Sequence, residues 1–296
     1  MPVPVQVVEK LQASLDRFNS EAAKTANSAG ADEVHDVRVS IRRLEQALEL
    51  FGEWLPAKGV EKIGKRLTKI LKMAGDVRDR DIAMELTEHL ELEVHGSVRY
   101  VLQTDRDTAA DRFSAALLKI GARQVVARWS SRLGLEHTTE NAALPDLARS
   151  LLPPLAARFI TSGSGLASHP TSRRRLHKFR ISAKRFRYSL EFLSNLYGPA
   201  VDERIATVRK IQTALGDLQD CVATRRLLRD LEVPRQALIP LRNEEEKRLQ
   251  AFVDLWPALF DTDAAAEWTR YLEGLPQGFA ARTRPSEPSP NPAGKP

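Results

Sequence analysis

Apolar residues recur every three or four positions along almost the whole chain, which is the spacing of one buried face of an α-helix. Long alternating runs and runs rich in β-branched residues are scarce, so little in the pattern indicates strands. Proline and glycine fall mostly between the periodic segments. The chain is therefore predicted to be all-α, with helices over residues 5–27, 32–54, 58–74, 77–93, 97–119, 122–134, 144–161, 172–196, 200–215, 218–231, 235–256 and 263–273.

Several interruptions divide this helical pattern. A polar break around residues 134–141 separates a first helical half, residues 5–134, from a second half, residues 144–275. A shorter loop is predicted at residues 162–165, with the sequence SGSG. Residues 276–296 are rich in proline and cannot bury enough apolar surface to fold, so a disordered tail is predicted there.

The two halves carry the same motifs in the same order. Residues 34–43 (VHDVRVSIRR) are echoed 142 residues later by residues 176–185 (LHKFRISAKR). Residues 70–79 (ILKMAGDVRD) are echoed at an offset of 141 by residues 211–220 (IQTALGDLQD). A nearly constant offset between two separate motifs indicates a tandem duplication.

The second motif contains a Gly-Asp pair in both copies, at residues 75–76 and 216–217. Glycine suits the end of a helix and aspartate caps the start of the next, so the pair is predicted to be a corner between two helices. A second interpretation is that Asp79 and Asp220, three residues further on, orient basic residues by ion pairing.

Positive charge is concentrated on particular helix faces. The formal net charge is +6, but 39 acidic residues offset the cations over much of the chain, so their location matters more than their sum. In each copy of the first motif, a histidine and several cations form a stripe beside the apolar face of the helix. These residues are His35, Arg38 and Arg42 in the first copy, and His177, Arg180, Lys184 and Arg187 in the second. Like charges at this spacing repel one another, so a bound polyanion would explain their presence.

The second stripe lies in the most basic segment of the chain. Residues 173–187 contain eight lysines or arginines and no acid. If Thr171 or Ser172 caps the helix, three arginines occupy its first turn, where the helix macrodipole disfavours cations. Stability alone would not select this arrangement, and the segment is predicted to bind anions.

The following helix of the first half adds a row of lysines. Lys62, Lys65, Lys69 and Lys72 share one face, opposite an apolar face. In the second half only Lys210, at the position of Lys69, is retained. The two halves are therefore expected to contribute unequally.

Several other chemistries lack the residues that they need. Cys221 is the single cysteine, which excludes a disulfide framework and a multi-cysteine zinc site. His35 and Asp36 are flanked by arginines, and Lys178 replaces the aspartate in the second copy, so no metal site and no cofactor are expected. A glycine-rich phosphate loop is also missing, so nucleotide hydrolysis is not expected.

The sequence also bears on localisation and on nucleic-acid binding. No apolar run is long enough to span a bilayer and the N-terminus does not resemble a secretory signal, so a cytoplasmic protein without membrane contact is expected. A basic helical face can follow any phosphodiester backbone, which keeps nucleic-acid binding as the alternative function. Aromatic residues are few, and Tyr188 alone adjoins the basic edge, so a ligand with phosphates and no bases fits better.

The His-x-x-Arg-x-x-x-Arg/Lys-Arg opening and the Gly-Asp-x-x-Asp segment of each half resemble the CHAD family, the conserved histidine α-helical domains. The resemblance covers nearly all of residues 5–275. It implies two pseudo-symmetric four-helix bundles with additional helices, and a basic central groove or pore that binds inorganic polyphosphate. It also implies a location at polyphosphate granules, with granule proteins as further partners. Many members carry a CYTH triphosphatase domain whose pattern this chain lacks, so a stand-alone binder without enzymatic activity is expected.

The predicted polyphosphate site combines three kinds of evidence. The motif residues follow from the resemblance, one arginine follows from the helical wheel, and four cations are added because their helices follow the motif helices. The predicted site residues are His35, Arg38, Arg42, Arg43, Lys65, Arg66, Lys69, His177, Arg180, Lys184, Arg185, Arg187 and Lys210.

Overall fold

The computed structural model describes residues 2–140, 144–170 and 172–274. These residues form an all-α fold, as predicted, with two strands of two residues each, β1 (Val3–Pro4) and β2 (Thr138–Thr139), paired in parallel. The helices are α1 (Val5–Asn27), α2 (Ala31–Leu50), α3 (Ala57–His89), α4 (Gly96–Ile120), α5 (Ala122–Arg132), α6 (Leu144–Ser168), α7 (Arg173–Leu193), α8 (Ala200–Asp230), α9 (Ile239–Leu259) and α10 (Ala264–Glu273).

The helices pack as two rings of four. In the first ring each of α1, α2, α3 and α4 contacts the next, and α4 closes the ring against α1. In the second ring α6, α7, α8 and α9 make the corresponding contacts. Helix α5 packs against α1, and α10 packs against α6.

The two rings meet through equivalent helices, α2 against α7 and α3 against α8. The main hydrophobic core runs across this junction, since it includes Ile41 and Leu67 from the first ring together with Phe186 and Ile211 from the second. A smaller cluster around the buried Cys221 also draws residues from both rings. The junction is therefore a packed part of the protein interior.

The predicted corner at the Gly-Asp pairs is wrong. Helices α3 and α8 each continue through it, so the helices predicted over 58–74 and 77–93 are one helix, as are those over 200–215 and 218–231. The glycines serve packing instead. A Cβ atom on Gly75 would lie 3.2 Å from Nη1 of Arg38, and one on Gly216 would lie 3.1 Å from Nη2 of Arg180.

The predicted loop at residues 162–165 is also wrong, because these residues are part of α6. A Cβ atom on Gly163 would overlap the indole ring of Trp256 on α9. The indole Nε1 donates a hydrogen bond to Oγ of Ser164 at 3.1 Å. The small residues therefore allow two helices to approach closely, whereas sequence reasoning took them as a helix break. The tail predicted over residues 276–296 lies outside the described residues.

Candidate functional site

Helices α2 and α7 hold the basic stripes at the edge of the core. Val37, Ile41 and Leu44 of α2 are fully buried, and Phe179, Ala183, Phe186 and Leu190 of α7 are almost so. The apolar faces predicted for both helices are confirmed. Each basic stripe adjoins such a face, so its cations lie between the core and solvent.

Four cations from the two rings converge at the junction, and we call them the central cluster: Arg38, Arg42, Arg180 and Lys184. Arg38, Arg180 and Lys184 are half-buried, and Arg42 is exposed. Arg38 passes beside Gly75 and donates from Nη1 to the carbonyl oxygen of Leu71 at 3.4 Å. Nε of Arg180 is buried and has no hydrogen-bond partner among the described residues. The cluster thus presents donors that the described protein does not fully satisfy.

Lys184 has the largest pKa shift within the central cluster. Burial, reinforced by the charges of Arg180, Arg42 and Arg38, lowers the pKa of Lys184 from 10.5 to about 7. Burial also lowers the pKa of Arg38 and that of Arg180. Arginine remains charged at any physiological pH despite such a shift. The cluster therefore concentrates more positive charge than the surrounding protein compensates.

Two carboxylates face the central cluster. Burial raises the pKa of Asp79 and of Asp220, and the largest opposing influence on the pKa is the charge of Arg38 for Asp79 and that of Arg180 for Asp220. Neither carboxylate forms an ion pair within 4.0 Å in the described part of the chain. The interpretation that these aspartates orient the arginines by direct ion pairing is therefore wrong. They attract the arginines only over a longer distance.

The two predicted histidines have different surroundings. Nδ1 of His177 lies 3.1 Å from Oε1 of Gln219, an oxygen that can only accept, so Nδ1 carries the hydrogen and Nε2 is left free. His35 is exposed, and the position equivalent to Gln219 is occupied by Arg78. The repeated histidines are therefore not equivalent in their contacts.

Arg43 and Arg185 connect the two rings. Nη1 of Arg43 on α2 lies 2.7 Å from Oε2 of Glu191 on α7, and Nη1 of Arg185 on α7 lies 3.6 Å from Oε1 of Glu49 on α2. The two arginines are 142 positions apart, as are the two glutamates. Sequence reasoning placed both arginines at the site and overlooked both glutamates, although the common offset was available as a signal.

Glu191 also holds two further arginines. Arg187 pairs with it through Nη1, and its Nε donates to Oε1 of Gln212 at 2.7 Å. Arg209 approaches the same carboxylate at 3.5 Å. Of the predicted site residues, Arg43 and Arg187 thus form ion pairs with Glu191. Arg43 also lines a different cleft from the one that Arg42 lines.

The start of α7 is arranged as the sequence predicts. Ser172 caps the helix, accepting from the backbone N–H of Arg175 at 3.4 Å. Arg173 in the first turn pairs at 2.7 Å with Glu245, a carboxylate only 4% exposed that also binds Arg225 at 2.9 Å. The unfavourable macrodipole at Arg173 is therefore offset by a distant acid that the local sequence does not reveal.

The remaining predicted cations lie on α3 and α8. Lys65, Arg66, Lys69 and Lys210 are exposed, and Lys65 pairs with Glu61 at 2.6 Å. Among the described residues that line the cleft beside Arg42, none of these four is included. The apolar face opposite them is buried, as predicted.

The described residues hold no group of three or more His, Cys, Asp or Glu side chains placed to bind a metal ion. Within the same residues, no helix combines the length and apolar character needed to cross a membrane.

Two solved structures share this fold. The crystal structure of the CHAD domain from the plant Ricinus communis matches with a TM-score of 0.66 and 19% identity, covering 93% of each chain. PptA from Streptomyces chartreusis matches with a TM-score of 0.60 and 18% identity, covering 88% of this chain and 99% of the other. No curated protein matches the sequence. The sequence model of the CHAD domain matches residues 9–229, which is most of the chain, and the protein therefore belongs to the CHAD domain family.

Proposed function

We propose that this protein binds inorganic polyphosphate at the central cluster and is thereby recruited to polyphosphate granules in the cytoplasm. The CHAD family is associated with polyphosphate binding and is not known to be catalytic. The proposal extends that association to particular residues of this chain.

The observation that carries the proposal is the convergence of Arg38, Arg42, Arg180 and Lys184 from two rings. Burial first, and the charges of Arg180, Arg42 and Arg38 second, lower the pKa of Lys184 to about 7, so this lysine lies partly desolvated among other cations in the free protein. Phosphate oxygens would relieve the repulsion, and they would accept hydrogen bonds from donors such as Nε of Arg180, which has no partner in the described residues.

The other predicted residues would act around this centre. His177, oriented by Gln219, can donate from Nε2 when protonated. His35 and the exposed cations Lys65, Arg66, Lys69 and Lys210 would attract the chain over a longer range. Arg43, Arg185 and Arg187 would act mainly by holding α2 against α7.

A competition titration tests the proposal. Labelled long-chain polyphosphate is displaced from the full chain by unlabelled polyphosphate, duplex DNA or RNA at equal phosphate concentration and near-physiological salt. We expect polyphosphate to compete at least about 100-fold more strongly than either nucleic acid, because a duplex cannot bring its phosphates as close to half-buried cations.

Variants locate the binding site. Arg38→Ala and Arg180→Ala should each lower polyphosphate affinity at least about tenfold, the usual loss for a charge-assisted contact. Arg149→Ala, which removes an exposed cation of α6 paired only with Asp146, is the matched control and should change affinity less than about twofold. Equal competition by all three polymers, or equal losses in all three variants, would reduce the cluster to a generic basic surface.

A further inference from the structure

The two Gly-Asp segments carry different side chains one helical turn beyond the glycine. On α8, Gln219 follows Gly216 by three positions and lies 3.1 Å from Nδ1 of His177. On α3, the same position after Gly75 is occupied by Arg78. Residues three apart share one face of a helix, so Arg78 lies on the face of α3 that Gly75 turns toward α2.

Arg78 acts on charged groups from both rings. Burial lowers the pKa of Arg38 on α2, and the charges of Arg42 and Arg78 add to this effect. Burial raises the pKa of Asp220 on α8, and the charges of Arg180 and Arg78 oppose this rise. Since α3 and α8 are in contact, Arg78 belongs to the junction of the two rings.

Arg78 is half-buried, and the described residues provide it with no acidic partner. It forms no ion pair within 4.0 Å and no side-chain hydrogen bond among them. None of its guanidinium nitrogens is a buried atom without a partner, so the group is open to solvent. By contrast, Arg80 on the same helix pairs with Asp105 at 3.3 Å. Unlike Arg80, Arg78 therefore keeps donors that a ligand can use.

The nearby aspartates do not account for Arg78. Asp79 and Asp220 attract it, but neither forms an ion pair with it within 4.0 Å in the described part of the chain. The charges of Arg38 and Arg78 also repel each other. A phosphate chain held by Arg38 and Arg180 would supply the missing counter-charge and accept hydrogen bonds from Arg78.

We infer that Arg78 binds phosphate and extends the polyphosphate site from the central cluster along α3. At the equivalent position of the second ring, Gln219 is neutral and orients His177. The first ring thus offers a permanent charge where the second offers an amide. The inference rests on the proposed function, since it needs the central cluster to hold polyphosphate.

Titration of the full chain with long-chain polyphosphate at several salt concentrations tests the inference. Arg78→Gln, which gives the first ring the residue of the second, should lower affinity about tenfold, the usual loss for one charge-assisted contact. The plot of log affinity against log salt concentration should become shallower by about 0.7, because one phosphate contact fewer releases fewer counterions. Arg149→Gln, the same substitution at an arginine of α6 paired with Asp146, is the control and should change affinity less than about twofold, with the same salt dependence.

The reciprocal substitution separates phosphate binding from a structural role. Gln219→Arg should steepen the salt dependence by a similar amount, and the double variant Arg78→Gln/Gln219→Arg should bind within about threefold of the unmodified protein. Denaturant unfolding of Arg78→Gln is measured in parallel. A loss of stability with an unchanged salt dependence would give Arg78 a structural role and overturn the inference.

Failure of the inference differs from failure of the proposed function. If Arg38→Ala and Arg180→Ala weaken polyphosphate binding while Arg78→Gln changes neither affinity nor salt dependence, the inference is wrong and the proposed function stands. If the unmodified protein does not bind long-chain polyphosphate, the proposed function is wrong and the inference falls with it. Should Arg78→Gln not fold, Gln219→Arg decides, because an unchanged salt dependence in that variant overturns the inference.

Discussion

The two rings present matching residues at their centre and different residues at their rim. Arg38 beside Gly75 corresponds to Arg180 beside Gly216, and both arginines approach a mid-helix glycine at nearly the same distance. Further out, Glu191 is 11% exposed and contacts three arginines, whereas Glu49 is 55% exposed and contacts one. The comparison separates a repeated inner arrangement from an outer one that has diverged in charge.

This difference indicates which equivalent positions of the two rings have the same structural role. An arginine that passes a glycine in a neighbouring helix needs both residues, so the pair is constrained together in each ring. A rim carboxylate can gain or lose partners without altering that packing. We therefore expect equivalent substitutions at the centre of the two rings to change polyphosphate affinity by similar amounts. Equivalent substitutions at the rim should have different effects in the two rings.

The largest effect is expected on stability, when the rim carboxylates are substituted. Glu191→Gln leaves the largely buried Arg187 and the partly exposed Arg43 without a counter-charge, so the free energy of unfolding should fall by about 2 kcal/mol. Glu49→Gln removes one exposed pair and should cost less than about 0.5 kcal/mol. Denaturant unfolding of both variants measures the difference, and equal losses would contradict the asymmetry.

The next effect is a pH dependence set by Lys184, which faces Arg38 and Arg42 of α2, Arg180 of α7 and Asp220 of α8. Its pKa is about 7 in the folded protein and 10.5 ordinarily. The unfolded chain thus binds more protons between these values, and the free protein gains stability as pH rises through that window. A bound polyanion raises this pKa again, so polyphosphate affinity should fall above pH 7 by up to about tenfold per pH unit.

Exchanging the two equivalent cations sharpens this prediction. Lys184→Arg places in the second ring the residue that Arg42 provides in the first, and it should flatten the affinity profile between pH 7 and 9 because arginine stays charged. Arg42→Lys introduces a second lysine and should steepen the profile. Titrations at constant ionic strength distinguish the two variants, and an unchanged profile in Lys184→Arg would assign the dependence to other groups.

The smallest effect is expected at the central glycines. Gly75→Ala and Gly216→Ala each favour the helix by up to about 1 kcal/mol, but the added methyl group crowds Arg38 or Arg180. Polyphosphate affinity should fall about threefold in both variants. Gly165→Ala, on an exposed part of α6 with open space around it, should leave affinity unchanged. Loss of affinity in only one of the two variants, Gly75→Ala or Gly216→Ala, would show that the two rings are not equivalent at their centre.

The helices were predictable because their apolar periodicity reports burial directly. The predicted limits of the first helix, residues 5–27, coincide with those of α1. The breaks that were wrongly predicted inside α3, α6 and α8 all concern glycine, which sequence reasoning takes as a break. Gly75, Gly163 and Gly216 lie inside helices because a neighbouring side chain needs the space of a missing Cβ, and that neighbour is remote in sequence.

The site was predictable in composition and less so in geometry. Repetition of the motif identified Arg38, Arg42, Arg180 and Lys184, which do converge. It could not show that Arg43 would turn to Glu191, since that contact spans 148 positions and depends on how α2 crosses α7. Charge runs identify cations, whereas only packing decides which of them acquire acidic partners.

The reciprocal contacts of Arg43 with Glu191 and of Arg185 with Glu49 are those of an approximate two-fold axis passing between α2 and α7. A ligand that lies across such an axis meets the same groups in the same order from either end. An unbranched phosphate chain has no head or tail, so one chain can present the same groups to both halves at once, whereas a nucleic acid strand has a direction and presents different groups to each half. Within the central cluster, Lys184 at the position of Arg42 is the one departure from this two-fold arrangement.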